Sequence, residues 1–125
     1  MKELVIKKCL KCGALVEVIQ DCTCDNCGIQ CCGEEMKIIK SNSVDASFEK
    51  HVPQYEIKGN MIEVKVNHVM EEEHYIEWIA FVDDKRVGKK FLVPNEDAIV
   101  EFPYIKNSTI YAYCNKHGLW KNEVK

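Results

Sequence analysis

The sequence predicts a mainly β protein in which a small cysteine-rich, metal-bound head precedes an antiparallel β-sandwich or barrel. Seven of the eight cysteines lie between Cys9 and Cys32. Beyond about residue 40 the chain becomes a series of short alternating strands separated by turn residues. No segment has a sustained helical period. We therefore expect a head at residues 1–39 and a second domain at residues 40–125.

The head depends on metal for its stability, because a segment of about 40 residues seldom buries enough surface to fold unaided. In a chain without an export signal, this crowding of thiols favours metal thiolates, with a disulfide framework as the alternative. Spacing alone favours a zinc-ribbon-like tetrad built from two Cys-x-x-Cys pairs. Its four members are Cys9, Cys12, Cys24 and Cys27.

The polar stretch SNSVDAS, residues 41–47, predicts a linker. In the strand that follows, MIEVKVNH, alternate residues share one face and are otherwise apolar. They are Ile62, Val64, Val66 and His68. In HYIEWIAFVDD the same alternation places His74 on the face of Ile76, Trp78, Ala80 and Val82.

The rest of the second domain supplies further short strands in GKKFLV, DAIVEF and TIYAYC. Ile110, Ala112 and Cys114 have matching parity in the last of them. Turn residues separate these strands, as a small antiparallel sandwich or barrel requires. They are Asp83-Asp84, Gly88, Pro94-Asn95 and Lys106-Asn107-Ser108.

Four histidines and one cysteine break the apolar pattern near strand ends. His68 closes one strand and His74 opens the next, so the short connection brings both rings to one end of the sheet. Cys114 ends the last strand, His117 follows three residues later, and His51 reaches this end through the linker. A single histidine on an apolar face is more often an ordinary core residue, so the prediction depends on all five together. Five such ligands exceed the four of a structural zinc site and suit iron with an open position.

Three stretches of this domain resemble the desulfoferrodoxin class of superoxide reductases: EKHVP, H…MEEEHYIEW and YCNKHGLWK. In the head, KCLKCG and CCGEEMK resemble the desulforedoxin portion of the same family. The resemblance implies a rubredoxin- or desulforedoxin-like head followed by an immunoglobulin-like, neelaredoxin-like sandwich. It also implies a non-haem catalytic iron with Cys114 as axial ligand. The equatorial ligands would be His51, His68, His74 and His117.

The activity implied by the resemblance is the one-electron reduction of superoxide to hydrogen peroxide. Glu49 corresponds to the carboxylate that occupies the sixth position of the resting ferric iron. Lys50 corresponds to the lysine beside the open site of the ferrous enzyme. Since the formal net charge of the chain is −3, a local cation such as Lys50 would have to focus the field for a small anion.

For the head, the resemblance selects a second, rubredoxin-like iron site, in which zinc is the other candidate metal. Its ligands would be Cys9, Cys12, Cys31 and Cys32. The stretch DCTCDNCGIQ departs from the family by being slightly longer and adds Cys22, Cys24 and Cys27. The sequence leaves open which four of these seven cysteines bind metal and what the surplus thiols do.

The resemblance further implies a homodimer formed through the head and an electron donor such as rubredoxin. No apolar run approaches the ~20 residues of a membrane span, and the first residues are too short a stretch for a secretory signal. We therefore expect a cytoplasmic protein without a membrane partner. No cluster of Lys and Arg indicates nucleic-acid binding. The competing functions are a non-enzymatic iron electron carrier and a zinc-ribbon interaction module.

Overall fold

The computed structural model describes residues 2–25 and 27–125. It divides into two compact units, of which one is Leu4–Lys40 and the other is Ser41–Lys125 together with the start of the chain. The described residues form twelve strands and one short 3₁₀ turn, and none of their helices is long and apolar enough to cross a membrane. The functional division into domains at residues 39 and 40 stays a prediction, since compactness does not show that each unit folds and works by itself.

The head is built from five short strands. They are β1 (Ile6–Lys8), β2 (Leu15–Glu17), β3 (Gln30–Cys31), β4 (Glu34–Glu35) and β5 (Lys37–Ile38). Three of them form an antiparallel sheet in the order β2-β1-β5, and β3 pairs with β4. The buried apolar residues of this unit are few, as a metal-dependent head requires. They are Leu4, Ile6, Cys9 and Met36.

The second unit contains seven strands in two antiparallel sheets. They are β6 (Gln54–Lys58), β7 (Met61–Lys65), β8 (Ile76–Val82), β9 (Val87–Phe91), β10 (Ile99–Pro103), β11 (Thr109–Cys114) and β12 (Gly118–Glu123). The first sheet has the order β10-β7-β6 and the second the order β12-β11-β8-β9. The predicted fold class, a four-cysteine head followed by an immunoglobulin-like antiparallel sandwich, is confirmed.

The hydrophobic core of the second unit lies between its two sheets. Phe81 on β8 and Phe102 on β10 meet across it with ring centroids 4.9 Å apart. Alternate residues of β7 and β11 belong to this core, as their parity predicted. From these two segments the core receives Ile62, Val64, Val66, Ile110, Ala112 and Cys114.

Strand β8 carries one extra residue close to the end of the sheet. Tyr113 pairs with Trp78, whereas the next residue on β11, Cys114, pairs with Ile76. Glu77 is therefore an extra residue in the register between β8 and β11, which is the arrangement of a β-bulge. The bulge lies beside Cys114, so it sets how the end of β8 approaches the predicted metal centre.

The bulge also reverses which residues of β8 face the core. Ile76, Ile79 and Phe81 belong to the core cluster. The sequence placed Trp78, Ala80 and Val82 on the face of Ile76, and this is wrong because the bulge shifts the alternation. These three residues are buried but do not belong to the core cluster.

The predicted linker is a loop, but it is anchored on β12. The Asn42 backbone N–H donates to the Leu119 carbonyl at 2.9 Å. The Asn42 side chain accepts from the Lys121 backbone N–H at 2.8 Å and donates to the Lys121 carbonyl at 3.3 Å. Asn42 has a φ of 56°, which asparagine tolerates better than most residues. The chain then enters the 3₁₀ turn Phe48–Lys50, which ends beside His51.

Candidate metal centre

Five side chains converge near one end of the sandwich, and they are the five that the sequence predicts. They are His51, His68, His74, Cys114 and His117. Their candidate ligand atoms all lie within 4.8 Å of one another. One imidazole nitrogen from each histidine and one sulfur could therefore contact the same ion.

Short connections, rather than the strands themselves, carry most of these ligands. His68 lies three residues beyond the end of β7, and His74 lies two residues before β8. The backbone of His74 pairs with Glu71 in an isolated antiparallel bridge. Cys114 is the last residue of β11, and His117 directly precedes β12. Each ligand is thus held within a few residues of a rigid strand or turn.

Backbone carbonyls fix the orientation of two of the rings. His51 Nδ1 lies 2.7 Å from the Ser47 carbonyl oxygen, and His68 Nδ1 lies 2.5 Å from the Val69 carbonyl oxygen. Because a carbonyl oxygen only accepts, both Nδ1 atoms carry the proton in the neutral rings. Their Nε2 atoms therefore keep a lone pair, which is the arrangement that a metal-binding histidine requires.

Those lone pairs face the other ligand atoms. His51 Nε2 lies 3.0 Å from His117 Nδ1, and His68 Nε2 lies 3.4 Å from the Cys114 sulfur. His74 Nε2 is buried and has no hydrogen-bond partner among the residues that the structure describes. A buried polar atom without a partner is costly. A cation among these five groups would satisfy it, so the donor set fits a metal ion.

The pKa shifts of the site residues also indicate that the site binds a metal ion. Burial lowers the pKa of His51, His68 and His74, so the imidazoles are held neutral and able to bind metal. Burial raises the pKa of the Cys114 thiol. Its thiolate therefore needs a nearby positive charge, which a metal ion supplies.

Trp120 contacts two of the ligand histidines, a role that the sequence analysis did not predict. It is fully buried, and its ring stacks on His51 with centroids 4.9 Å apart. Its indole Nε1–H donates to the His117 carbonyl at 3.0 Å. A single tryptophan in a strand is usually an ordinary core residue. No pattern in the sequence therefore indicated that Trp120 contacts metal ligands.

Asn115 was missed as well, although it directly follows Cys114. Its amide nitrogen donates to the Glu73 carbonyl at 2.9 Å. Its amide oxygen accepts from the Tyr75 backbone N–H at 3.0 Å. The side chain therefore grips the backbone on both sides of His74. Its position between two ligand residues was the signal that could have found it.

The two residues predicted to act on substrate lie in the turn that leads to His51. Glu49 and Lys50 are both exposed. Lys50 lines a cavity of about 630 Å³ together with His68, Glu96 and Asp97. An ammonium group and one ligand histidine therefore border the same open space.

A second cluster forms in the head from Cys9, Cys12, Cys31 and Cys32. The Cys12 and Cys31 sulfurs are 3.6 Å apart, and those of Cys31 and Cys32 are 3.8 Å apart. The Cys12 backbone N–H lowers the pKa of the Cys9 thiol to about 6. Contact with the Cys12 thiol raises the pKa of Cys31 to about 12. Four thiolates this close together require a cation, as in tetrathiolate metal sites.

The zinc-ribbon tetrad favoured by spacing alone is not brought together. Cys24 and Cys27 instead pair with each other, with their Cα atoms 5.7 Å apart. Cys9 and Cys12 share their cluster with the adjacent pair Cys31 and Cys32 at the end of β3. This is the tetrad implied by the family resemblance. The expectation of a metal-thiolate head is therefore confirmed, and the pairing of Cys24 with Cys27 accounts for two of the surplus thiols whose role the sequence left open.

Comparisons with known proteins agree with the two clusters. The desulfoferrodoxin family model matches residues 43–123. The desulfoferrodoxin of Nitratidesulfovibrio vulgaris is 45% identical over 124 residues, covering 95% of each chain. A desulfoferrodoxin homolog of Archaeoglobus fulgidus is 41% identical over 121 residues, covering 94% of each. The crystal structure of the superoxide reductase from Treponema pallidum superposes with a TM-score of 0.73 at 28% identity, covering 97% of this chain and 99% of that one.

Proposed function

This chain belongs to the desulfoferrodoxin family, and from that premise we propose that it is a superoxide reductase. The overall reaction takes superoxide, one electron and two protons to hydrogen peroxide. The observation that carries the proposal is the convergence of four imidazoles and one thiolate within 4.8 Å. This donor set exceeds what a closed structural zinc site uses and favours the enzyme over an interaction module.

In this proposal His51, His68, His74, His117 and Cys114 hold the catalytic iron. Iron bound there would supply the electron by cycling between its ferrous and ferric states, with the thiolate raising its electron density. The protein's part is to keep the imidazoles neutral through burial. It also keeps their lone pairs aimed inward through carbonyls such as that of Ser47.

We assign the handling of substrate to the exposed turn before His51. Lys50 borders the same cavity as His68, so its ammonium would attract an anion in a protein whose net charge is −3. It can also orient the water that delivers a proton to the reduced oxygen species. Glu49, its neighbour, would compete with the product for the site and so favour release of peroxide.

The head completes the proposed enzyme as a second iron site. Cys9, Cys12, Cys31 and Cys32 would hold this iron, or zinc, with no position left for substrate. We propose that the head stabilises its own unit, that residues 1–39 and 40–125 act as domains, and that the head also forms a homodimer contact. A small electron-transfer protein such as rubredoxin would reduce the catalytic iron in the cytoplasm.

Rapid mixing of the fully reduced protein with superoxide tests the proposed activity and shows which of the two metal centres carries it out. We expect the catalytic iron to lose one electron per superoxide, observed as a change in visible absorption. Cys31→Ser removes a head ligand and should leave this reaction intact. Cys114→Ser removes the sulfur ligand of the other centre and should slow it at least tenfold, about 1.4 kcal/mol of lost transition-state stabilisation.

The opposite pattern would contradict the proposal. If Cys31→Ser abolished the reaction and Cys114→Ser did not, the head would be the reactive site. If neither metal centre changed its oxidation state on contact with superoxide, the protein would be an electron carrier or a structural metal protein.

A further inference from the structure

Three cysteines of the head, Cys22, Cys24 and Cys27, belong to neither metal cluster of the described residues. All three are exposed. Nothing in the proposed reduction of superoxide uses them. They nevertheless lie together, in a stretch of six residues.

Cys24 and Cys27 are paired with each other in a Cys-x-x-Cys arrangement. Their Cα separation of 5.7 Å is typical of a disulfide. The third thiol is close by, because the Cys22 Sγ–H donates to the Cys27 carbonyl at 3.6 Å. The Cys27 sulfur in turn lies 3.7 Å from the Cys24 carbonyl.

An ion pair anchors this segment to the sheet of the head. The Lys7 ammonium lies 2.9 Å from Asp21 Oδ1, and the Lys7 side chain is only 6% exposed. The same carboxylate oxygen accepts from the Cys22 backbone N–H at 2.8 Å. The thiol segment is therefore attached to β1 rather than being an untethered loop.

A cavity of about 320 Å³ opens beside these thiols. Cys22 and Cys27 line it, together with Lys7, Glu35 and Met36. A small molecule can therefore reach the Cys27 sulfur from this side. Since exposed disulfides are the ones that exchange readily, access and exposure both favour reactivity over a purely structural bond.

We infer that Cys24 and Cys27 are a redox-active pair that exchanges with low-molecular-weight thiols. The thiolate of a small thiol attacks the Cys27 sulfur, the bond between Cys27 and Cys24 breaks, and Cys24 leaves as a thiolate that takes up a proton. A second small thiol attacks the sulfur of the first, which releases a small-molecule disulfide and leaves Cys27 as a thiol. Two electrons and two protons pass to the protein, and the inference does not depend on superoxide.

The test is a redox titration of the metal-loaded full chain in mixtures of reduced and oxidised glutathione. Acid quenching, alkylation and mass spectrometry then count the free thiols in each peptide. We expect Cys24 and Cys27, resolved from neighbouring cysteines by fragmentation of their peptide, to change together from unlabelled to labelled in a single two-electron step. For such a step, an approximately 80-fold change in the ratio of squared glutathione to its disulfide takes the pair from one-tenth to nine-tenths reduced.

The remaining cysteines serve as internal controls. The four of the head cluster and Cys22 should be labelled at every ratio, and the visible absorption of both metal sites should stay constant. Cys22→Ser should keep the transition. Cys24→Ser should abolish it and leave Cys27 as a mixed disulfide with glutathione.

Three results would overturn the inference. The pair could stay wholly oxidised or wholly reduced across all mixtures, its two sulfurs could be labelled independently, or the transition could follow loss of the head metal. The titration of the unmodified chain decides each of these, so the inference remains testable even if Cys24→Ser fails to fold.

Discussion

At the scale of single residues, Asn115 joins the turn that carries two ligands to the loop that carries a third. Its side chain hydrogen-bonds the Glu73 carbonyl and the Tyr75 N–H, on either side of His74. Asn115→Ala should cost about 1–2 kcal/mol of unfolding free energy through these two bonds. Because outer residues orient metal ligands, it should also weaken metal binding roughly 10–100-fold. Chelator competition and thermal unfolding measure the two effects.

Ser108→Ala is the matched control for this variant. Ser108 donates from its side chain to the Ile105 carbonyl at 2.7 Å, in the turn before β11 and six residues away from Cys114. It should lose stability without losing metal affinity. Equal loss of affinity in both variants would mean that Asn115 acts only through general stability.

Lys50 gives the second prediction at this scale. Lys50→Ala should lower the second-order rate of superoxide capture by about tenfold at low ionic strength. The difference should shrink as salt is added, because the Debye length falls to about 10 Å at 0.1 M. Lys85→Ala, in the turn after β8, is the control and should leave the rate unchanged. An unchanged rate for Lys50→Ala at low salt would disprove electrostatic focusing.

The sequence revealed the ligands but not the residues that hold them. A histidine on an apolar face near a strand end interrupts a pattern, as His68 does, and so can be seen in the sequence. Asn115 and Trp120 interrupt nothing, because an asparagine in a turn and a tryptophan in a strand are ordinary there. The contacts of Asn115 arise only when the ends of β8 and β11 meet, and those of Trp120 only when β12 and the 3₁₀ turn come together in the fold.

At the scale of elements, the turn between β11 and β12 is the one whose backbone most constrains the site. Gly118, next to His117, has a φ of 82°. Gly118→Ala should cost about 1–2 kcal/mol, the penalty of a left-handed backbone for a residue with a Cβ. Steric crowding should add little to this cost, because an added Cβ would lie 3.4 Å from Val44 Cγ2, an ordinary van der Waals contact. The variant should also weaken metal binding by displacing His117.

Gly59→Ala separates these two effects. Gly59 lies between β6 and β7 with a φ of 65°, and an added Cβ there would meet nothing within 4 Å. Urea unfolding should give a similar loss of stability for both variants, and chelator competition should show weaker metal binding for Gly118→Ala alone. If metal affinity stayed at the wild-type level in Gly118→Ala, the turn would not control the position of His117.

The alternation of side chains between the two faces of a strand was predictable from the sequence, whereas the β-bulge that interrupts it in β8 was not. The face of β7 followed from period-two patterning, and so did that of β11. The face of β8 did not, because Glu77 is an extra residue opposite the junction of Tyr113 and Cys114. A bulge depends on the register of the neighbouring strand, and a single strand's pattern does not contain that register.

At the scale of the whole molecule, the two units differ in what stabilises them. The sandwich has a continuous apolar core, whereas the head has few buried apolar residues. Cys12→Ser should therefore remove the head metal and unfold residues 4–40 while the sandwich keeps its own unfolding temperature. Calorimetry with metal analysis checks this. A variant that lost the head metal yet kept the head folded would show that its strands suffice.

The head was also where prediction from spacing failed most clearly. Two Cys-x-x-Cys pairs suggested one tetrad, but which sulfurs meet is decided by how β3 and β4 turn back toward β1. Cys32, with a φ of 54°, sits in that turn beside Cys31. Spacing in the sequence therefore limits the candidates, while the chain's path through the head selects among them.

The central claim is that this molecule reduces superoxide without oxidising a second one. The most direct measurement is the yield of hydrogen peroxide and of dioxygen when the reduced protein consumes a known amount of superoxide. Reduction gives one peroxide per superoxide and no dioxygen. A yield of half a peroxide, accompanied by half a dioxygen, would mean dismutation and would contradict the account.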